Sequence, residues 1–167
     1  GIRDRSPSRG LGDVYKRQDP SSAAFFTALT LLNKNSTLKI KNVGLNPTRT
    51  GFYEILKKQK VKINFKNILK DNNEIRGDIL IKSSKLKPMN VPASLYPRTT
   101  DEYLILFVIA SLTNGVSTFK GISELKGKES SRAHEMKKIL NQIGIKCKLS
   151  QNAVSYTHLR AHETDSY

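Results

Sequence analysis

The chain has 167 residues, with 29 Lys+Arg against 14 Asp+Glu, a formal net charge of +15, and one cysteine. Hydrophobic residues make up 37% of it, enough for a packed core, while its longest largely apolar run, 104–112, falls far short of the roughly 20 residues a bilayer span requires. Cys147 alone excludes an internal disulfide framework and, without thiol partners, a Cys-rich zinc site, and no apolar N-terminal segment reads as a secretory signal, so the cytoplasm is the expected location.

Residues 1–18 show no period of 2 or 3.6, and their Ser, Pro, Gly and Arg content reads as loop. Asp19-Pro20-Ser21-Ser22 is a helix start, with Asp as N-cap and Pro at the first helical position. An apolar helix follows from Ala23 to Leu32 and ends at Asn33-Lys34-Asn35. Residues 37–43 alternate Leu38, Ile40 and Val43 loosely with lysines, as a strand with one buried face does. After a loop over 44–50, residues 51–59 form a short amphipathic helix with Phe52, Ile55 and Leu56 inward. Strands over 61–69 and 75–83 flank an Asp71-Asn72-Asn73 turn and make a hairpin. A loop bearing Pro88, Pro92 and Pro97 leads to a helix opened by Asp101 and stopped by Asn114-Gly115. A strand over 116–121, a helix over 128–143 with Ala133, Met136, Leu140 and Ile143 on one face, and a strand over 145–149 complete the series. Residues 153–167 read as a tail. Its His158 and His162 are spaced i,i+4, but with Arg160 between them and no apolar face a metal pair is not expected.

The charge first points to a polyanion partner such as nucleic acid. Its distribution argues otherwise. Residues 19–152 hold 19 Lys and only 4 Arg, whereas the two flanks hold 1 Lys and 5 Arg. The middle is also rich in Asn and Ile, the mark of an A/T-rich coding bias that spreads lysine over solvated faces. No compact Lys/Arg cluster with interleaved aromatics occurs. The reversed ratio separates the ends from the middle, and the strings GDVYKRQ (12–18) and VSYTHLRAHET (154–164) look like translated adapter sequence. The expected organisation is therefore a non-native or disordered tail over 1–18, a partial domain over 19–152, and a second such tail over 153–167.

The element order repeats. Helix, strand, loop, helix, strand runs once from Ser21 and again from Asp101. Thr37 pairs with Thr118 at an offset of 81, and Ile55-Leu56 with Ile139-Leu140 and Val61 with Ile145 at an offset of 84. Such a repeat implies similar units that bury their apolar faces against one another, here in an α/β architecture.

The polar chemistry collects at the starts of the second unit's two helices. At Thr99-Thr100-Asp101-Glu102 the acidic pair reads either as a plain N-cap and dipole partner or as a functional carboxylate. At 124–132, Lys128 and Arg132 place cations at the positive end of a helix dipole. A bound phosphate or carboxylate would resolve that conflict, as would an i,i+3 ion pair of Glu129 with Arg132. Arg49 reads as structural, His134 as a helix-surface residue, and Cys147 as core.

Four motifs then carry a family resemblance: DPSSAAFF (19–26), GLNPTRTG (44–51), TDEYLIL (100–106) and ELKGKESSR (124–132). In that order and spacing, 19–152 resembles the C-terminal half of the bacterial 5-enolpyruvylshikimate-3-phosphate synthase (3-phosphoshikimate 1-carboxyvinyltransferase) family. Leu104 stands where the family usually has Pro, and Ser131 where it usually has Asp beside Arg132. The resemblance implies an inverse α/β barrel (α-β prism) domain of the enolpyruvyl transferase type, built from repeated units and incomplete here. It implies transfer of the enolpyruvyl group of phosphoenolpyruvate to the 5-hydroxyl of shikimate 3-phosphate. Asp101 would be the proton acceptor near that hydroxyl and Glu129 the proton donor to the methylene carbon. Lys128 would contact shikimate 3-phosphate and Arg132 phosphoenolpyruvate. No metal or organic cofactor, nucleic acid or membrane is implied, and the parent enzyme is expected to be a monomer.

The family enzyme has two similar domains of three repeats each, with the substrates between them. Less than two repeats are present here, so the missing N-terminal domain is needed for a complete site and the isolated chain is expected to be catalytically silent. A basic nucleic-acid-binding module, a fragment similar to UDP-N-acetylglucosamine enolpyruvyl transferase, and an inactive remnant with open sheet edges are the alternative readings.

Overall fold

The computed structural model describes residues 18–71, 74–122, 130–149 and 153–157. The first unit begins with α1 (Pro20–Leu32), where the Asp19 carboxylate accepts the Ser22 N–H at 2.9 Å and Pro20 occupies the first turn, as the sequence predicts. The helix packs inward through small residues: Ala23, Ala24, Thr27 and Ala28 are buried, while Phe25, Phe26 and Leu29 on the outer side are 57–66% exposed. The hydroxyls of Thr27 and Thr30 return to the Ala23 and Phe26 carbonyls, so their burial leaves no unmet donor.

Strand β1 (Thr37–Gly44) leads through a 3-10 turn at Pro47–Arg49 into α2 (Gly51–Lys58), then the hairpin strands β2 (Lys62–Asp71) and β3 (Glu74–Lys82). They form an antiparallel sheet in the order β1-β3-β2. Both outer strands are bulged, between Ile40 and Val43 and between Lys66 and Leu69. Asn42 and Asn67 adopt positive φ in those bulges, at 55° and 51°. Asp78 on the central strand serves both, accepting the Asn42 N–H at 3.1 Å and the Asn67 side-chain N–H at 2.8 Å, with Lys39 at 2.9 Å. These bonds, led by the Lys39 ammonium, hold the Asp78 carboxyl down at about 2.

The second unit opens with β4 (Asn90–Val91) and 3-10 turns at Ala93–Arg98 and Thr100–Glu102, followed by α3 (Tyr103–Ser111) and β5 (Val116–Lys120). Helix α4 (Ser130–Gln142) and strands β6 (Lys146–Leu149) and β7 (Ala153–Thr157) complete it. The sheet order is β4-β5-β7-β6, with β4 and β5 parallel and the other pairs antiparallel. Apolar on every side, α3 lies in the interior. Around it Tyr96, Tyr103, Phe107 and Phe119 meet edge-on with ring centroids 5.0–5.9 Å apart. One apolar core runs from Ala23 to Cys147 through both units.

Hydrogen bonding reproduces the repeat. Val61 N–H donates to Leu56 C=O at 3.2 Å, and Ile145 N–H donates to Leu140 C=O at 2.9 Å. Between these partners Lys60 and Gly144 turn the chain with φ of 60° and 84°. Each member of one set lies 84 residues from its counterpart, so the offset read from the sequence relates the same helix-ending turn in both units.

Three expectations need correction. The chain beyond 152 is not wholly without structure, because Ala153–Thr157 forms β7 between β5 and β6. Its Val, Ser, Tyr and Thr content suits a strand, and backbone pairing needs no side-chain pattern. Likewise Gln18, assigned to the first tail, exchanges backbone hydrogen bonds with Asn42 and Gly44. Thr100–Glu102 is a 3-10 turn ahead of α3 rather than its first α-turn, and Asp101 does not cap it. The rest of 1–18 and 158–167, including His158 and His162, lies outside the described residues.

Candidate active site

Two loops distant in sequence dock to build the site. In the first, Asn46 closes the Pro47–Arg49 turn by accepting the Thr48 N–H at 3.1 Å. In the second, Thr99 and Thr100 return their hydroxyls to the Leu95 and Tyr96 carbonyls, at 2.7 Å and 3.1 Å. Arg98 fastens one to the other: its Nε donates to Pro47 C=O at 2.9 Å and its Nη1 meets Glu54 at 2.8 Å. Lys58 first, and Arg98 after it, holds Glu54 below the usual carboxylate range. Gly51 lets the surfaces close, since a Cβ there would stand 2.3 Å from Thr99 Oγ1 and 2.6 Å from the Arg98 carbonyl oxygen.

This docking sets Asp101 and Glu102 side by side with opposite surroundings. Asp101 is half-exposed and its Oδ2 lies 3.0 Å from Arg49 Nη2. The same nitrogen donates to Ser21 Oγ at 3.0 Å and lies 3.7 Å from Asp19. Glu102 is 3% exposed and accepts the Ser21 hydroxyl proton at 2.5 Å. Burial pushes its carboxyl above the ordinary range; Ser21 acts against that rise, Asp101 adds to it, and Arg49 opposes it. Beneath this group Tyr53 is also buried, and desolvation raises its phenol well above its usual value.

Of the residues expected at the site, the structure brings two together. Asp101 and Arg132, the latter in the first turn of α4, line one narrow crevice floored by Tyr103, Leu104 and Phe107. Lys128 and Glu129 lie outside the described residues. Ser21, Arg49 and Glu102 join the cluster, although the sequence reads Arg49 as structural and gives Ser21 no role at the site. Ser21 and Arg49 do sit inside the DPSSAAFF and GLNPTRTG motifs, the signal that marks them. His134 is exposed on α4, and Cys147 is buried.

The arrangement offers an accessible carboxylate paired with the Arg49 guanidinium in a crevice that Arg132 also lines, with apolar side chains on one side. An anionic substrate can be held by such cations while a carboxylate takes or gives a proton. Among the described residues there is no group of three or more His, Cys, Asp or Glu side chains able to hold a metal ion, and no helix long and apolar enough to cross a membrane.

A sequence model of the family described as EPSP synthase (3-phosphoshikimate 1-carboxyvinyltransferase) matches residues 9–167. The 3-phosphoshikimate 1-carboxyvinyltransferase of Petrotoga mobilis is 43% identical over 127 residues, covering 76% of this chain and 29% of that protein. The enzyme of the same name from Thermodesulfovibrio yellowstonii is 41% identical over 143 residues, covering 85% and 33%. Among solved structures, an EPSP synthase from Acinetobacter baumannii superposes with a TM-score of 0.80 at 34% identity, over 85% of this chain and 32% of that one. The chain thus spans about a third of the length of the relatives it matches. None of these matches supports the nucleic-acid or UDP-N-acetylglucosamine alternatives.

Proposed function

Because the chain belongs to the EPSP synthase (3-phosphoshikimate 1-carboxyvinyltransferase) family, we propose that it forms part of an enzyme transferring the enolpyruvyl group of phosphoenolpyruvate to shikimate 3-phosphate. In this reading the 5-hydroxyl oxygen bonds to C2 of phosphoenolpyruvate and its proton passes to Asp101. Glu129 delivers a proton to C3, which gives a tetrahedral intermediate. The C2–O bond to phosphate then breaks, C3 returns a proton, and the double bond re-forms as phosphate leaves. Lys128 holds shikimate 3-phosphate near the reacting hydroxyl, and Arg132 holds phosphoenolpyruvate. The observation that carries the reading is the shared crevice of Asp101 and Arg132, residues of two motifs 31 positions apart.

The 167-residue chain on its own is catalytically silent in this proposal, because substrate orientation needs the remaining two-thirds of the enzyme. Residues 19–152 are the enzyme's own segment. The ends, 1–18 and 153–167, are extraneous in origin in this reading, although Ala153–Thr157 pairs as β7. Alignments of 127 and 132 residues with two relatives are no longer than 19–152, whereas those of 143 and 145 residues and the family match over 9–167 reach past it into the ends.

The test exchanges 19–152 for the matching stretch of the Petrotoga mobilis relative and follows phosphate release from phosphoenolpyruvate and shikimate 3-phosphate. The expected result is an active chimera that Asp101→Ala silences, beside an inactive 167-residue chain. A folded but inactive chimera overturns the assignment. Release by the chain alone, abolished by Asp101→Ala, overturns its silence.

A further inference from the structure

We propose that Arg49 is the positioning residue for Asp101, orienting that carboxylate by tying it to the first turn of α1. The inference rests on the reading of Asp101 as proton acceptor and extends it to a residue outside the reacting set. Asp101 stands on a 3-10 turn whose own backbone does not receive its side chain. Among the described residues its side-chain partner is Arg49, at 3.0 Å. An exposed carboxylate without such a partner samples several rotamers, only some of which face a hydroxyl in the crevice.

Arg49 is suited to the task because it is itself braced. Its turn is closed by Asn46, and Arg98 grips the Pro47 carbonyl within that turn. The guanidinium then reaches Ser21, Asp101 and Asp19 together. Ser21 is fixed in turn by its bond to the buried Glu102. The two helix starts are thereby linked through one permanently charged group whose Nη2 meets Ser21 and Asp101 at 3.0 Å each, with Asp19 farther off at 3.7 Å. As an exposed ion pair the contact contributes little to stability. Its consequence is geometric, and misplacement by about 1 Å can cost on the order of 100-fold in rate.

The chimera carrying 19–152 gives the main test. Arg49→Met is expected to lower kcat about tenfold with both KM values changed by less than about twofold, the split of a group acting on orientation. Arg49→Lys should recover part of that loss. In an Asp101→Asn background Arg49→Met should change single-turnover rate by less than about twofold, because the group it positions is gone. An equal loss in both backgrounds, or a raised KM at unchanged kcat, overturns the proposal. If Asp101→Asn is inactive while Arg49→Met matches the parent, only the role of Arg49 falls. If Asp101→Asn keeps full kcat, the acceptor assignment falls and the positioning role with it. In the 167-residue chain, Arg49→Met should speed amide exchange at 100–102 without altering α2, and unchanged exchange counts against the tether.

Discussion

The Ser21 hydroxyl donates to the Glu102 carboxylate at 2.5 Å across 81 residues of chain, the same separation that relates Thr37 to Thr118 in the repeat. The two units therefore meet where α1 begins in one and where the 3-10 turn ahead of α3 ends in the other. One has a small hydroxyl there and the other a buried acid, so the contact is made by asymmetry within a symmetric framework.

Glu102 makes stability depend on pH. Its folded pKa is raised, first by burial, so the folded state binds this proton more tightly than the unfolded chain. The resulting stabilisation is complete below the unfolded carboxylate value and is lost as pH rises through the folded one. Urea unfolding from mildly acidic to neutral pH should show that decline, and Glu102→Gln should flatten it.

Asp78 acts in the opposite direction. Its folded pKa of about 2 lies below the unfolded value, with Lys39 and the bulge residue Asn67 as leading causes. The stabilisation is present above the unfolded value and disappears as pH falls toward 2. Acid unfolding followed by circular dichroism should lose this component in Asp78→Asn. Amide exchange at Asn42 should also quicken there, since its N–H loses a charged acceptor.

At Gly51 a methyl group would press on the Arg98 carbonyl and on Thr99 Oγ1. Gly51→Ala should destabilise by about 1–3 kcal/mol, the range for overpacking against a neighbour that cannot retreat. Denaturant unfolding measures the loss. The same variant in the active chimera should lose kcat, because the loop displaced is the one carrying Asp101.

Lys60 and Gly144 offer a paired stability test at equivalent turns. Lys60 holds φ at 60° with a side chain attached, whereas Gly144 reaches 84° with open space around it. Lys60→Gly should stabilise by roughly 1 kcal/mol and Gly144→Ala should cost about the same, through backbone conformation alone. Thermal unfolding of both variants checks the sign, and equal shifts in one direction would contradict it.

Much of this architecture is legible in the residue pattern because it is local. Asp19 announces α1 by its capping chemistry, Leu56 and Leu140 announce α2 and α4 by their period, and the offset of 84 carries through to hydrogen bonds. Asp101 and Arg132, singled out by the motifs that carry the family resemblance as a proton acceptor and a substrate contact, line one crevice. Arg49 is read as structural because its partners lie 28, 30 and 52 positions away. Only the docking of two loops decides where its guanidinium ends. The burial of Glu102 is hidden for the same reason, since an acid beside a helix start looks solvated until Ser21 covers it. Strand β4 is too short for periodicity, and β7 belongs to a stretch whose composition drew attention elsewhere.

Helix α1 sits on its small residues and turns Phe25, Phe26 and Leu29 outward. Its seating therefore depends on Ala23, Ala24, Thr27 and Ala28 together with Leu31 near its end, while Phe25, Phe26 and Leu29 bear none of that duty. Solubility and site geometry become separable variables on one thirteen-residue helix. Polar replacements along the outer stripe can reshape how the chain behaves in concentrated solution, and Ser21 stays where it is.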